Sequence, residues 1–145
     1  MLLNGKNKMY DKSKDIPFNN QIAYLENFDF DNDGKIMNKE LIKQKIILIM
    51  VKKSSCGYCT EAKPSFQEYA NKTKRTKVFC ATIHVDGERD SERELGERII
   101  DVIPRAIKGF PCYALYINGN LINKEMTGDR GVKSLGEFTG VKAQE

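Results

Sequence analysis

Six consecutive apolar residues, Ile46-Ile47-Leu48-Ile49-Met50-Val51, place the strongest constraint on what this chain can fold into. Most are β-branched, which suits a strand. A strand without polar alternation needs cover on both faces, so it belongs in the middle of a sheet flanked by helices. Shortly after it come Cys56-Gly57-Tyr58-Cys59 and then a segment with helical spacing, Phe66, Tyr69 and Ala70, with Pro64 inside it. Two cysteines three apart at the start of a helix can close a small disulfide ring and reopen it. The unpaired amides and the dipole of the helix N-terminus favour the thiolate of the first. The same spacing also begins structural zinc sites. Here Cys80 and Cys112 are isolated rather than a second close pair, and His84 sits within a strand pattern, which leaves zinc as the lesser reading.

Composition narrows the function classes. A chain of 145 residues with a formal charge of +4 is expected to form one domain. No basic stripe interleaved with aromatics is present, so nucleic acid is not an expected partner. No apolar run reaches the roughly 18 residues that span a membrane, and the first residues, Met1-Leu2-Leu3-Asn4-Gly5-Lys6, lack the apolar stretch of a secretory signal. Residues 1–18 read as a polar arm, and residues 19–145 as the domain with an N-terminal extension.

Within that extension, Ile22, Leu25 and Phe28 fit the apolar face of a short helix or part of a strand, and a helix or irregular segment is preferred. Asp29-Phe30-Asp31-Asn32-Asp33-Gly34 then continues to Glu40 and matches a calcium-binding loop, with Asp29, Asp31, Asp33 and Glu40 as the acidic ligands. The competing reading is a turn, because Asn32-Asp33-Gly34 lies between two short apolar segments. The turn is preferred. Only Leu41 to Lys45 separate the loop from the apolar strand, and no second loop of this kind exists to pair with it.

Val78 to Asp86 reads as a second strand and Arg89 to Ile100 as a charged helix with Leu95, Ile99 and Val102 on its apolar side, ended by Pro104. Gly109-Phe110-Pro111 leads into a third strand, Cys112 to Ile117. Asn118-Gly119 is a hairpin turn to Asn120-Leu121-Ile122, and Leu135 and Phe138 mark a terminal helix. Strands separated by helices, with a closing hairpin, describe an α/β fold with a mixed sheet of four or five strands and helices on both faces.

In this order the motifs resemble the thioredoxin superfamily over roughly residues 44–140. The resemblance rests on Cys56-Gly57-Tyr58-Cys59 after a buried strand, on Pro64 five residues past Cys59, and on Gly109-Phe110-Pro111 before a strand and Asn118-Gly119. Gly128 resembles the glycine of the loop that contacts substrate. The family likeness implies a thioredoxin-like fold with a cis bond at Pro111; the segment near residues 87–108 is longer than in a minimal thioredoxin and reads as a long helical insertion. The likeness implies a thiol-disulfide oxidoreductase without a cofactor, acting as a monomer or weak dimer on proteins that carry disulfides or dithiols. Cys56 would be the nucleophile and Cys59 the resolving thiol. Tyr58, Phe110, Pro111 and Gly128 would meet the substrate, and Lys52 and Lys53 would add positive charge near Cys56. Cys80 and Cys112 read as packed thiols. Similar domains occur in some large DNA viruses, so a cytoplasmic or virion-associated location is expected.

The departures are specific. Ser55 stands where thioredoxins carry Trp before the first cysteine, and the chain has no Trp. Met50 stands where they bury an Asp that helps deprotonate the second thiol, and Thr82 replaces the partner lysine. These point toward protein disulfide isomerase-like or specialised members and away from recycling by thioredoxin reductase. The alternative is a non-catalytic thioredoxin-like binding module, calcium-responsive through residues 29–40.

Overall fold

The computed structural model describes residues 16–103 and 109–144. Its elements run β1 (Ile22–Tyr24), a 3-10 turn (Asn27–Asp29), α1 (Lys39–Ile42), β2 (Ile46–Lys52), α2 (Gly57–Thr73), β3 (Val78–His84), α3 (Asp90–Val102), β4 (Cys112–Ile117), β5 (Asn120–Leu121) and α4 (Val132–Thr139). The expected stop of α3 at Pro104, part of the 87–108 insertion and residues 1–15 of the arm lie outside the described residues.

The apolar run became the middle strand of a five-stranded mixed sheet ordered β1-β3-β2-β4-β5. β2 pairs in parallel with β3, Met50 opposite Thr82 and Lys52 opposite His84. Its other edge pairs antiparallel with β4, Met50 opposite Tyr113 and Val51 opposite Cys112. Alternate side chains serve two separate cores. Ile46, Leu48 and Met50 pack with Phe66 and Tyr69 of α2 and with Leu135 and Phe138 of α4. Ile47, Ile49 and Val51 pack with Leu95 and Ile99 of α3 and with Phe30 and Ile36. Burying side chains of this size contributes about 1.5–3 kcal/mol each, which makes β2 the best-anchored element of the fold.

Two expectations are corrected at the N-terminal side. Ile22 to Tyr24 form an edge strand parallel to β3, where a helix or irregular segment was expected. The short run has only one fully buried side chain and is held by main-chain pairing. Phe18, assigned to the polar arm, is buried in the core against Phe66, 5.5 Å between ring centroids. Its ring also lies 6.3 Å from that of Tyr24, which joins β1 to the α2-side core.

The acidic loop forms a turn. Phe30 and Ile36 make an antiparallel bridge around it, and Gly34 adopts φ +80°, a backbone region that glycine enters freely. Asp29 points inward and is 4% exposed; its carboxylate accepts from the Glu26 amide and from the Asn38 side chain, each at 2.7 Å. Asp31 accepts from the amides of Asp33 and Lys35. The Lys35 carbonyl, which a calcium loop would offer as its main-chain ligand, accepts from the Asp31 amide at 2.9 Å. Arg98 of α3 donates to the carbonyls of Asn27, Phe30 and Asp31, and buried Tyr116 donates to Gly34 O at 2.6 Å. Glu40 lies on α1, paired with Lys43. Among the described residues no three of the His, Cys, Asp and Glu side chains come together as a metal would require, so neither the four calcium-loop acids nor the four cysteines form a cluster. The loop is tied to α3 and β4 as a structural turn.

Candidate active site

The loop from β2 to α2 is fixed at its start. The Ser54 amide donates to Asp86 at 2.9 Å, and the Ser54 hydroxyl meets His84 Nε2 at 3.0 Å. Ser55 takes φ +58°, a left-handed conformation that a β-branched residue would resist. The chain then enters α2 with Cys56 as its N-cap. The Cys56 sulfur accepts the Cys59 amide at 3.2 Å, and its S–H faces the Phe110 carbonyl at 3.5 Å. A sulfur in this position meets the unpaired amides of the first turn.

Cys59, one turn on, is 2% exposed. Burial pushes its thiol up to about 12, assisted by the hydrogen bond with Cys56; the Lys53 amide and the Lys52 charge pull the other way. The pair is therefore graded, with one half-buried thiol at the surface and one buried thiol behind it.

The residues expected to meet substrate lie around this pair. Tyr58 is 67% exposed, and the Arg130 guanidinium stands 5.7 Å from its ring centroid. The Phe110–Pro111 bond is cis, and Phe110 O faces Cys56. Lys53 Nζ stands 5.3 Å from the Phe110 ring centroid. Gly128 adopts φ +85° in the loop that leads to Arg130 and α4. That loop is shaped by Asp129, which accepts from the Gly131 amide and the Ser134 hydroxyl.

The positions that depart from the family pattern are apolar or self-contained. Met50 is fully buried in the α2-side core, and the Thr82 hydroxyl donates to the Met50 carbonyl at 2.7 Å. Lys52, expected as a loop charge beside Cys56, is instead the last residue of β2 and 2% exposed, while Lys53 is exposed. Three further residues had no motif to mark them. Lys63 on α2 is 6% exposed, Arg130 covers Tyr58, and the hydroxyl of Tyr113 is buried with no hydrogen-bond partner.

Cys80 lies in the α2-side core, and Cys112 packs partly buried against the α3-side core. Burial pushes both thiols up to about 12. The pH dependence of stability follows from these three raised thiols. In the unfolded chain each ionises near pH 8.5; in the folded chain each holds its proton toward pH 12. Their contribution is complete below pH 8.5 and is lost as pH rises toward 12. Each such thiol lowers stability by about 1.4 kcal/mol per pH unit in that window. Urea unfolding of the reduced protein should show a steepening loss of stability from pH 8 to 10. A flat profile there would contradict the burial of these thiols.

No model of a known protein family matches the chain. A thioredoxin-like protein of Invertebrate iridescent virus 6 is 36% identical over 118 residues, which cover 74% of this chain and 84% of the viral protein. Among solved structures, human ERp44 superposes with a TM-score of 0.63 at 19% identity, over 85% of this chain and 29% of that one. This chain thus spans about a third of the ERp44 length. The first thioredoxin domain of mouse protein disulfide-isomerase A4 gives a TM-score of 0.61 at 13% identity, over 96% of this chain and 84% of that domain. Mitochondrial thioredoxin 3 of Saccharomyces cerevisiae gives 0.54 at 20% identity, over 83% and 95%. The structural likenesses show the fold.

Proposed function

The chain belongs to the thioredoxin superfamily, and from that premise we propose that it is a thiol-disulfide oxidoreductase acting on protein disulfides and dithiols through Cys56 and Cys59. The observation that carries this reading is the Cys56 sulfur capping α2, with the Cys59 amide donating to it at 3.2 Å and the Cys59 thiol buried one turn behind. In the reductive direction the Cys56 thiolate attacks one sulfur of a substrate disulfide, and the other sulfur leaves as a thiolate. Cys59, once deprotonated, attacks Cys56. The mixed disulfide breaks, and the second substrate sulfur leaves and takes up a proton. The substrate gains two electrons and the protein becomes the Cys56–Cys59 disulfide. The oxidative direction is the reverse.

The peptide before Pro111 supports the same reading. Phe110 O lies beside Cys56, where an extended substrate strand could pair with main chain, and Tyr58 with Arg130 forms an exposed rim. Main-chain pairing specifies substrate loosely, so unrelated disulfide proteins should serve.

Insulin precipitation tests the proposal. Reduced protein at micromolar concentration, supplied with dithiothreitol, should bring turbidity on several-fold sooner than dithiothreitol alone. Equal lag times at every pH from 6 to 9 would sink the enzymatic reading. Equilibration with glutathione buffers and thiol trapping of Cys56 and Cys59 then gives the reduction potential and hence the direction of flow in a given compartment.

A further inference from the structure

Two lysines are buried on the face of the sheet that carries α2. Lys52 is the last residue of β2, on the same side of that strand as Leu48 and Met50, and is 2% exposed. Its ammonium stands 5.7 Å from the Phe18 ring centroid and 5.3 Å from that of Tyr24. Lys63 is 6% exposed and stands 5.5 Å from the same Phe18 ring. It lies one helical turn beyond Cys59, on the same buried face of α2. Two cations thus meet over one aromatic ring behind the buried thiol. A lysine this deeply buried is costly to keep charged, and an apolar side chain of similar volume is often neutral or stabilising there. Its neighbours in the ladder sharpen the point. Met50 and Thr82 replace the acid and base expected at that rung, and the next rung on the same face, toward the cysteines, holds Lys52 opposite His84.

We propose that Lys52 is a positioning residue for the second half of the exchange, its buried ammonium stabilising the Cys59 thiolate as that thiolate forms to attack the Cys56 mixed disulfide. The proposal rests on the thiol-disulfide reading above and names what stands in for the missing carboxylate. An acid at position 50 would accept the Cys59 proton. A cation at position 52 leaves the proton to water and favours the anion that remains. Around Lys52 itself a cavity of about 610 Å³ brings the charged and titratable groups His84, Asp86, Glu88, Arg89 and Glu92. The groups acting on Cys59 are Cys56 at the N-cap of its own helix, Lys52 at the end of β2, the Lys53 amide just past it, and Tyr113 on β4. Lys63 lies one turn on, and Arg130 stands over Tyr58. None of these described neighbours of Cys59 is a carboxylate.

Ellman's reagent separates the two halves of the exchange. Attack by Cys56 releases one thionitrobenzoate and leaves a second bound as a mixed disulfide; attack by Cys59 releases the second. Stopped-flow release should be measured from pH 5 to 10 for wild type, Lys52→Met, Lys52→Gln and Lys52→Arg. Both neutral variants should leave the first phase within about twofold. They should move the pH profile of the second phase about one unit alkaline, a tenfold loss of thiolate at a given pH. The higher nucleophilicity of the more basic thiolate offsets part of this, so the second phase should slow by roughly three- to tenfold at pH 7. Lys52→Arg keeps the charge and should keep the wild-type profile. Should Lys52→Met fail to fold, the comparison of Lys52→Gln with Lys52→Arg decides the matter. A second-phase profile in the neutral variants that superimposes on wild type overturns the assignment, and so does equal slowing of both phases. A wild-type protein with a first phase and no second overturns the proposed function itself, and the role of Lys52 with it.

Discussion

Replacing Gly96 with alanine destabilises the protein, although alanine is the better helix former. Gly96 lies in the middle of α3, where propensity alone favours alanine by about 1 kcal/mol. Space decides otherwise. A Cβ at Gly96 would stand 2.6 Å from the Val85 Cα and 2.7 Å from both the Val85 carbonyl oxygen and its Cβ. The atoms it meets are mostly main chain just past the end of β3, so no side-chain rotation relieves the contact. Either α3 lifts from the sheet, opening the core at Leu95 and Ile99, or the β3 end shifts and disturbs His84 and Asp86, which hold Ser54. Overpacking of this kind costs about 1–3 kcal/mol and occasionally more. With main chain as the obstacle, the net loss should be about 2 kcal/mol, a fall of roughly 4–10 °C in melting temperature for a domain of this size. Gly57→Ala provides the contrast, because nothing lies within 4 Å of a Cβ there. Thermal unfolding of the two variants checks the argument; equal melting temperatures would show that α3 adapts without cost.

Gly96 also shows where reading the chain stops. Strand β2, the helix after the cysteines, the hairpin at Asn118-Gly119 and the cysteine pair were legible, because each depends on residues adjacent in the chain. Continuous apolar character requires double burial, and Asn-Gly suits a turn with φ above zero, which both residues adopt. The features that escaped depend on what a distant segment supplies. Lys52 after an apolar run reads as the exit to solvent, whereas Phe18, assigned to the polar arm, and Tyr24 of β1 stand against its ammonium in the fold. Strand β1 escaped because its contribution is main-chain pairing at a sheet edge. The acidic loop carries the residues of a calcium site in the right order; Arg98 and Tyr116, both remote in sequence, commit its carbonyls to the fold. A glycine inside a helix was the one visible sign of a close approach at α3.

Substitution of the two cysteines should divide the reaction into halves, with the largest effects of any change considered. Cys56→Ser removes the only half-buried sulfur at the helix cap. A serine hydroxyl does not ionise near neutral pH, so disulfide reduction should fall on the order of 10³-fold or more, to the dithiothreitol background. Cys59→Ser should leave the first attack intact and abolish the second. Turnover stops, and the protein accumulates as a mixed disulfide with its substrate through Cys56, visible by mass spectrometry and released by excess reductant. Cys112 is the thiol with the best chance of replacing Cys59, since it follows Pro111 directly. Its surroundings argue against that. It packs with the core on the α3 face, whereas Cys59 lies on α2 across the sheet, and burial pushes its thiol up to about 12. The Cys59→Ser trap should therefore be equally stable in a Cys59→Ser, Cys112→Ala double variant. If trapping fails in Cys59→Ser and appears only when Cys112 is also removed, Cys112 is a second resolving thiol. If Cys56→Ser retains full activity, the nucleophile lies elsewhere and the graded pair at the start of α2 is not the site of exchange.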